Sequence, residues 1–299
     1  MSVKGKENYM SEGTGRIDLH LHTNISDGTD TPEELLENVR KAGLEVFSVT
    51  DHDSFKGAVS ISAMLREEDP VFITGVEFSC KDEEGKYHIL GYGFDPSAQA
   101  INDTVRIGHG FRMEKMTARF EFLKNEFGFR FPKDEIESIL ALDNPGKPHL
   151  GNLMARYGFA ENKDDAISNY INKLHVNEKY IRPEQAIESI LKSGGIPVLA
   201  HPLFGSGDEK ISPEEMEDRL TKLKGFGLKG VEAFYSGFDM QQTAEMIDLA
   251  GKYNLYVTAG SDYHGSNKKI EIAFTGLNGS SVMPERLKEF FKAAGVQRI

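Results

Sequence analysis

From Arg16 onward, short runs that are apolar at nearly every position alternate with longer stretches whose apolar residues recur every three or four positions. RIDLH (16–20), EVFSVTD (45–51), VFITGVEFS (71–79) and YHILGYGF (87–94) read as strands, while TPEELLENVRKAG (31–43) and residues 55–66 read as helices. Thr31 supplies an N-cap, Pro32 the first helical position, Glu33 and Glu34 an acidic first turn, and Gly43 a stop. The charged segment KDEEGK joins two of the strands as a hairpin. Between 102 and 193 the strand pattern vanishes and the text becomes helical and polar. Alternation resumes with IPVLAHP (196–202), a helix over 213–226, GVEAFY (230–235), a helix over 240–253, LYVTAGSD (255–262) and a helix over 284–294. The pattern predicts an α/β chain: a β/α barrel formed by 16–101 and 194–299, a helical insertion over 102–193 that serves as a substrate lid, and a flexible leader over 1–15.

Composition narrows the classes of function. The 299 residues are 39% hydrophobic and 27% charged, the balance of a globular chain, and no run approaches the length of a membrane span or signal peptide. The expected location is the cytosol. Cys80 is the single cysteine, which excludes an internal disulfide and a Cys-based zinc site, and reads as a small packing residue. Acidic residues outnumber basic ones 47 to 35, for a net charge of −12, which disfavours loose binding to long nucleic acid. A small phosphorylated substrate remains compatible, because bound cations locally invert an acidic field. Oligomeric state is not legible.

The placement of the nine histidines carries most of the chemistry. His20 and His22 stand two apart on an extended run, so both imidazoles project from one side, and Asp27 follows in the loop. His52 leaves the second strand between Asp51 and Asp53, both candidate acceptors for imidazole N–H groups. Glu77 ends the next strand and His88 sits on the following one. After the insertion come His201, Asp262 and His264. All except His88 lie at or just beyond C-terminal strand ends, which in a β/α barrel converge on one face. Any one of these residues has an ordinary structural explanation; together they point to a cluster holding Mn, Zn or Fe, with Mg possible. His109 and His175 read as surface residues.

The ordered set HLHTNISDG, TDHD, GVEFS, YHILGY, AHP and GSDYHG resembles the PHP (polymerase and histidinol phosphatase) phosphoesterases over about 16–275. The resemblance implies a distorted (β/α)7 barrel and up to three divalent ions: one on His20, His22, Glu77 and Asp262; a second on Asp27, His52 and His201; a third on Glu77, His88 and His264. Every ligand position is filled. The insertion, with KPHLGNLMARYG inside it, resembles the branch acting on nucleoside monophosphates, 3′,5′-bisphosphate nucleotides or short-RNA 5′ ends, with Lys147 where those relatives show Arg, so that a point charge replaces a bidentate fork. Metal-bridged hydroxide would then attack the phosphate monoester, with His201, Asp262 and His264 as catalytic residues. Candidate substrate contacts are Arg112, Lys115 and Arg119, which share a helix face, with Lys147, His149 and Glu232. Charge reversal at Arg112 is expected to act on KM far more than on folding. Histidinol-phosphate phosphatase, a nuclease or proofreading module, and a non-catalytic metal-binding protein are the competing readings.

Overall fold

The computed structural model describes residues 16–174, 179–205, 211–277 and 283–296. Seven strands neighbour one another in chain order: β1 (Ile17–Leu21), β2 (Val46–Val49), β3 (Val71–Lys81), β4 (Lys86–Tyr92), β5 (Ile196–Leu199), β6 (Gly230–Tyr235) and β7 (Tyr256–Gly260). β1 and β2 are buried at every position, as strands must be when one face fills a barrel and the other is covered by helices. The ring closes where the His22 N–H donates to the Tyr263 carbonyl at 3.0 Å and the Asp262 N–H to the His20 carbonyl at 2.9 Å. Below this, the Asp18 carboxylate replaces the missing ladder, accepting from the backbone N–H groups of Ser261 at 2.9 Å and Ala273 at 2.8 Å.

Every strand pair is parallel except the two made by β4, which runs against both β3 and β5. This reversal explains why His88 lies near the start of its strand, where the other candidate ligands lie at strand ends. On a reversed strand the start is at the rim where its neighbours finish.

The same reversal leaves the chain at the opposite rim after Tyr92. Helix α3 (Gln99–Phe127) then climbs back. At 1.5 Å per residue its 29 residues span roughly 43 Å, enough to pass the barrel and project beyond it. Its lower half buries Ile101 in the barrel core, and its upper half buries Met116, Phe120 and Leu123 in a separate core. That second core is completed by α4 (Lys133–Leu140), α5 (Lys147–Arg156) and α6 (Lys163–Asn169) through Ile139, Leu150, Leu153, Met154 and Ala166. Helix α7 (Pro183–Lys192) buries Ala186, Ile187 and Ile190 in the barrel core, so it is a barrel helix inside the range expected for the insertion.

The remaining helices, α1 (Pro32–Ala42), α2 (Lys56–Met64), α8 (Pro213–Phe226), α9 (Met240–Tyr253) and α10 (Glu285–Ala293), cover the barrel wall. α1 begins as its sequence dictates: the Glu34 N–H donates to the Thr31 hydroxyl at 3.2 Å, the Thr31 N–H to the Glu34 carboxylate at 2.9 Å, and Gly43 ends it at φ 66°. No helix among the described residues is long and apolar enough to cross a membrane. The expected leader over 1–15 lies outside the described residues, as does His175.

Candidate metal centre

The strand ends bring all nine expected ligands together. Glu77 is at the centre and uses both oxygens: Oε2 lies 3.4 Å from His20 Nε2, 3.3 Å from His22 Nε2 and 3.0 Å from His52 Nδ1, while Oε1 lies 2.9 Å from His88 Nδ1 and 3.3 Å from His201 Nε2. Asp262 Oδ1 faces His20 Nε2 at 3.6 Å and His22 Nε2 at 3.4 Å. Asp27 Oδ1 lies 3.2 Å from His264 Nε2 and 3.9 Å from both His22 Nδ1 and His52 Nε2.

One pair is exchanged relative to the expected division among ions. His264, not His201, joins Asp27 and His52, and His201, not His264, lies by His88, with Nε2 3.2 Å from His88 Nδ1. Barrel adjacency is the reason. β5 pairs with β4, so His201 emerges beside His88, whereas closure of β7 onto β1 carries His264 to the loop holding Asp27. His201 at φ 27° and Asp262 at φ 59° adopt left-handed backbone that non-glycine residues rarely take, and such strain concentrates where side chains must be aimed.

A cluster this closed could hold cations or be an internal network of ion pairs. Within it His20 Nε2, His22 Nε2, His52 Nδ1, Asp27 Oδ1 and Glu77 Oε2 are buried without a hydrogen-bond partner. Orphaned polar atoms converging on common points are what a network would avoid and what cation coordination requires. Among the described residues, eight of these donors fall into three sets, each with ligand atoms mutually within 4.8 Å: His22, Asp27, His52 and His264; His20, His22 and Asp262; and His52, Glu77 and His88, with His201 outside all three and reaching Glu77 and His88 through Nε2. Burial alone would push the Glu77 carboxyl up, yet the imidazoles of His88, His52 and His20 hold it well below the usual carboxylate range. Asp27 is depressed likewise, burial being overcome by His264 and His52. Burial drives the imidazoles of His52 and His264 down, which favours the neutral ring a cation needs.

The orientation of two rings is fixed from behind. The Glu232 carboxylate accepts from His20 Nδ1 at 2.9 Å and from the His201 backbone N–H at 2.8 Å, and it is fully buried. The His264 Nδ1 donates to the Asp262 carbonyl at 2.9 Å, which leaves Nε2 as the lone-pair face toward Asp27. Gly260 lies under the Glu232 contact, where a Cβ would stand 2.2 Å from Glu232 Oε1 and 2.3 Å from His20 Cβ.

Residues 18–186 match the family model described as the PHP domain. The chain belongs to the PHP family. A phosphoribosyl 1,2-cyclic phosphate 1,2-diphosphodiesterase of Eggerthella lenta is 30% identical, over 85% of this chain and 95% of its own length. A 5′-3′ exoribonuclease of Haemophilus influenzae is 26% identical over 84% of this chain and 90% of its own. A 3′,5′-nucleoside bisphosphate phosphatase of Chromobacterium violaceum is 25% identical over 83% and 87%. In fold, the chain is similar to a candidate metal-dependent phosphoesterase of Bifidobacterium adolescentis, with a TM-score of 0.79, 24% identity, and coverage of 93% of this chain and 96% of that one.

Around the candidate ligands the PHP chain has a cleft of about 1240 Å³ floored by the cluster, and a pocket of about 260 Å³ at the edge formed by Asp27, His52 and His88. The pocket is lined by Lys86, Arg112, Lys115, Arg119 and Lys147. Of the expected substrate contacts, Lys115 and Arg119 are buried rather than solvated, with the Lys115 ammonium 3.7 Å from the Tyr180 ring centroid. Lys147 is half-buried and bonds the Asn172 side chain at 2.6 Å. His149 Nδ1 accepts the Gly146 N–H at 3.0 Å at the start of α5.

Three expectations change. Glu232 is not a substrate contact, because both its oxygens are engaged by His20 and the His201 backbone away from the cleft. Arg112 is first an anchor: its Nε donates to Asp53 at 2.6 Å and its Nη2 to the Ser79 hydroxyl at 2.7 Å. Asp51 and Asp53 do not accept from imidazoles; Asp51 accepts from the Thr23 N–H and the Thr23 and Ser26 hydroxyls, and so shapes the loop after His22. Cys80 is a buried packing residue, its thiol pushed up by burial, and His109 is partly exposed.

Sequence reading missed Tyr235 and Lys268, which both donate to Asp262, and Asn267, whose amide donates to the Asp27 carbonyl at 2.8 Å. Tyr235 ends a legible strand, but no spacing marks Lys268 or Asn267 within GSNKK.

Proposed function

We propose that this metal-dependent phosphoesterase hydrolyses a phosphate ester of a small nucleotide that carries a second anionic group, such as a 3′,5′-bisphosphate or the 5′ end of a short RNA. The observation that carries the reading is the basic pocket opening on the same edge of the cluster as Asp27, His52 and His88. A substrate phosphoryl group over the ligands would leave a second phosphate in reach of Lys86, Lys115, Arg119 and Lys147. Nucleoside monophosphates fill the site less completely on this reading.

The nine side chains would hold the cations, which supply Lewis-acid stabilisation of charge on the phosphoryl oxygens and lower the pKa of water. The chain's own residues do the rest. Glu232 and the Asp262 carbonyl fix the faces that His20 and His264 present. His264, with its proton committed to that carbonyl, acts as a ligand rather than as a proton donor to the leaving oxygen. The insertion contributes charge through α3 and α5 and walls off the pocket from bulk water.

A cyclic phosphodiester is the second reading, favoured by the 30% identity to the Eggerthella lenta enzyme over most of both chains. The exoribonuclease among the relatives keeps RNA ends within the candidate range despite the net charge of −12. Phosphate release by the metal-supplemented protein should be fastest with 3′,5′-bisphosphates or short 5′-phosphorylated RNA, slower with nucleoside monophosphates and slowest with histidinol phosphate. Release only after opening of a ribose 1,2-cyclic phosphate would overturn the nucleotide reading in favour of the second.

A further inference from the structure

The two oxygens of Asp262 have different surroundings. Oδ1 faces His20, His22 and His264. Oδ2 receives the Tyr235 hydroxyl at 3.0 Å and the Lys268 ammonium at 2.5 Å. Both donors line the large cleft and belong to neither the ligand set nor the basic pocket. Asp262 itself has a left-handed backbone at φ 59°, so its side chain is aimed from a conformation that needs outside restraint.

Tyr235 is in turn braced. Its ring lies 5.2 Å from that of Phe238 and 6.2 Å from that of Phe204, and 5.4 Å from the His201 imidazole, all between centroids. A phenol held on three sides by rings delivers its hydroxyl to one place. Lys268 approaches from the loop after β7, four residues beyond His264, so a neutral donor on a rigid wall and a charged donor on a loop meet at one oxygen.

We propose that Tyr235 and Lys268 form a clasp on the outer oxygen of Asp262, making it a ligand that presents Oδ1 alone to the cations. They are positioning residues, since neither touches the ligand-facing oxygen. The inference rests on the reading that the cluster holds divalent ions. Donors behind a coordinating carboxylate commonly govern affinity by 10- to 100-fold. Because Lys268 also brings positive charge near the cluster, Tyr235→Phe, which leaves charge unchanged, separates orientation from repulsion.

The test is equilibrium dialysis of the full-length protein against Mn²⁺, and separately Zn²⁺, with bound metal measured directly and the melting temperature of the chelated protein as a control. Tyr235→Phe and Lys268→Met should each weaken the affected site by about tenfold or more with little change in that melting temperature. Lys268→Arg should recover most of the loss, and the double variant should lose less than the product of the two single effects, because both act on one carboxylate. Wild-type affinity in both single variants would overturn the clasp while leaving the metal reading intact. Tighter binding by Lys268→Met would overturn the role of Lys268, showing its charge to oppose the cations. A wild-type protein that takes up no ion would overturn the metal reading and the clasp with it.

Discussion

Arg112 shows how far a single side chain could be read in advance. Its place with Lys115 and Arg119 on one helix face was legible from spacing, and all three line the basic pocket. Its partner was not, because Asp53 lies 59 positions away on a loop that reaches α3 only once the barrel is built. With Asp53 only 2% exposed, Arg112→Glu should place two carboxylates together in a buried setting and destabilise the fold by about 3 to 5 kcal/mol. Urea unfolding would measure this, and a loss below 1 kcal/mol would show that the pair is structurally idle and restore the simpler expectation of a KM effect alone. The candidate ligands were legible as a group for the opposite reason: each lies within a few residues of a strand end that the hydrophobic pattern marks. Glu232 was found as a rim residue, but its role depends on a contact across 212 positions, to His20.

At the scale of elements, the hydrophobic pattern recovered every strand of the barrel and the helices between them, because burial on both faces leaves little room for polar residues. What it blurred was the insertion boundary, since α3 and α7 each serve the barrel while reading as ordinary polar helices. Strand β7 carries a requirement that no periodicity reveals. Gly260 must lack a side chain for Glu232 to reach His20 across it. Gly260→Ala should therefore cost about 1 to 3 kcal/mol of stability through overpacking. It should also weaken metal binding, because the displaced carboxylate no longer orients the ring. Thermal unfolding and metal titration together check this: a destabilised protein with unaltered affinity would mean that Glu232 is not needed behind His20.

For the molecule as a whole, protons and cations compete for one cluster. Burial alone would lower the His22 imidazole, but Asp262 and Glu77 raise it from 6.5 to about 9. Its folded value lies above its unfolded one, so the stability this pairing contributes is full below about pH 6.5 and is lost as pH rises through about 9. The chelated protein should melt lower at pH 9 than at pH 7. Metal binding should move the other way, tightening by up to about tenfold per pH unit between 7 and 9 as the competing proton leaves, then levelling off. Saturating metal should raise the melting temperature at every pH in that range, by an amount worth about 4 kcal/mol at a thousandfold excess over Kd. A pH-independent affinity would place His22 outside the coordination set. The reversed strand β4 has a reach beyond chemistry. By delivering the chain to the far rim, it makes α3 and α7 a pair of stalks, one ascending and one descending, with the second core carried between them. Length and content of that cargo can vary without disturbing any barrel register.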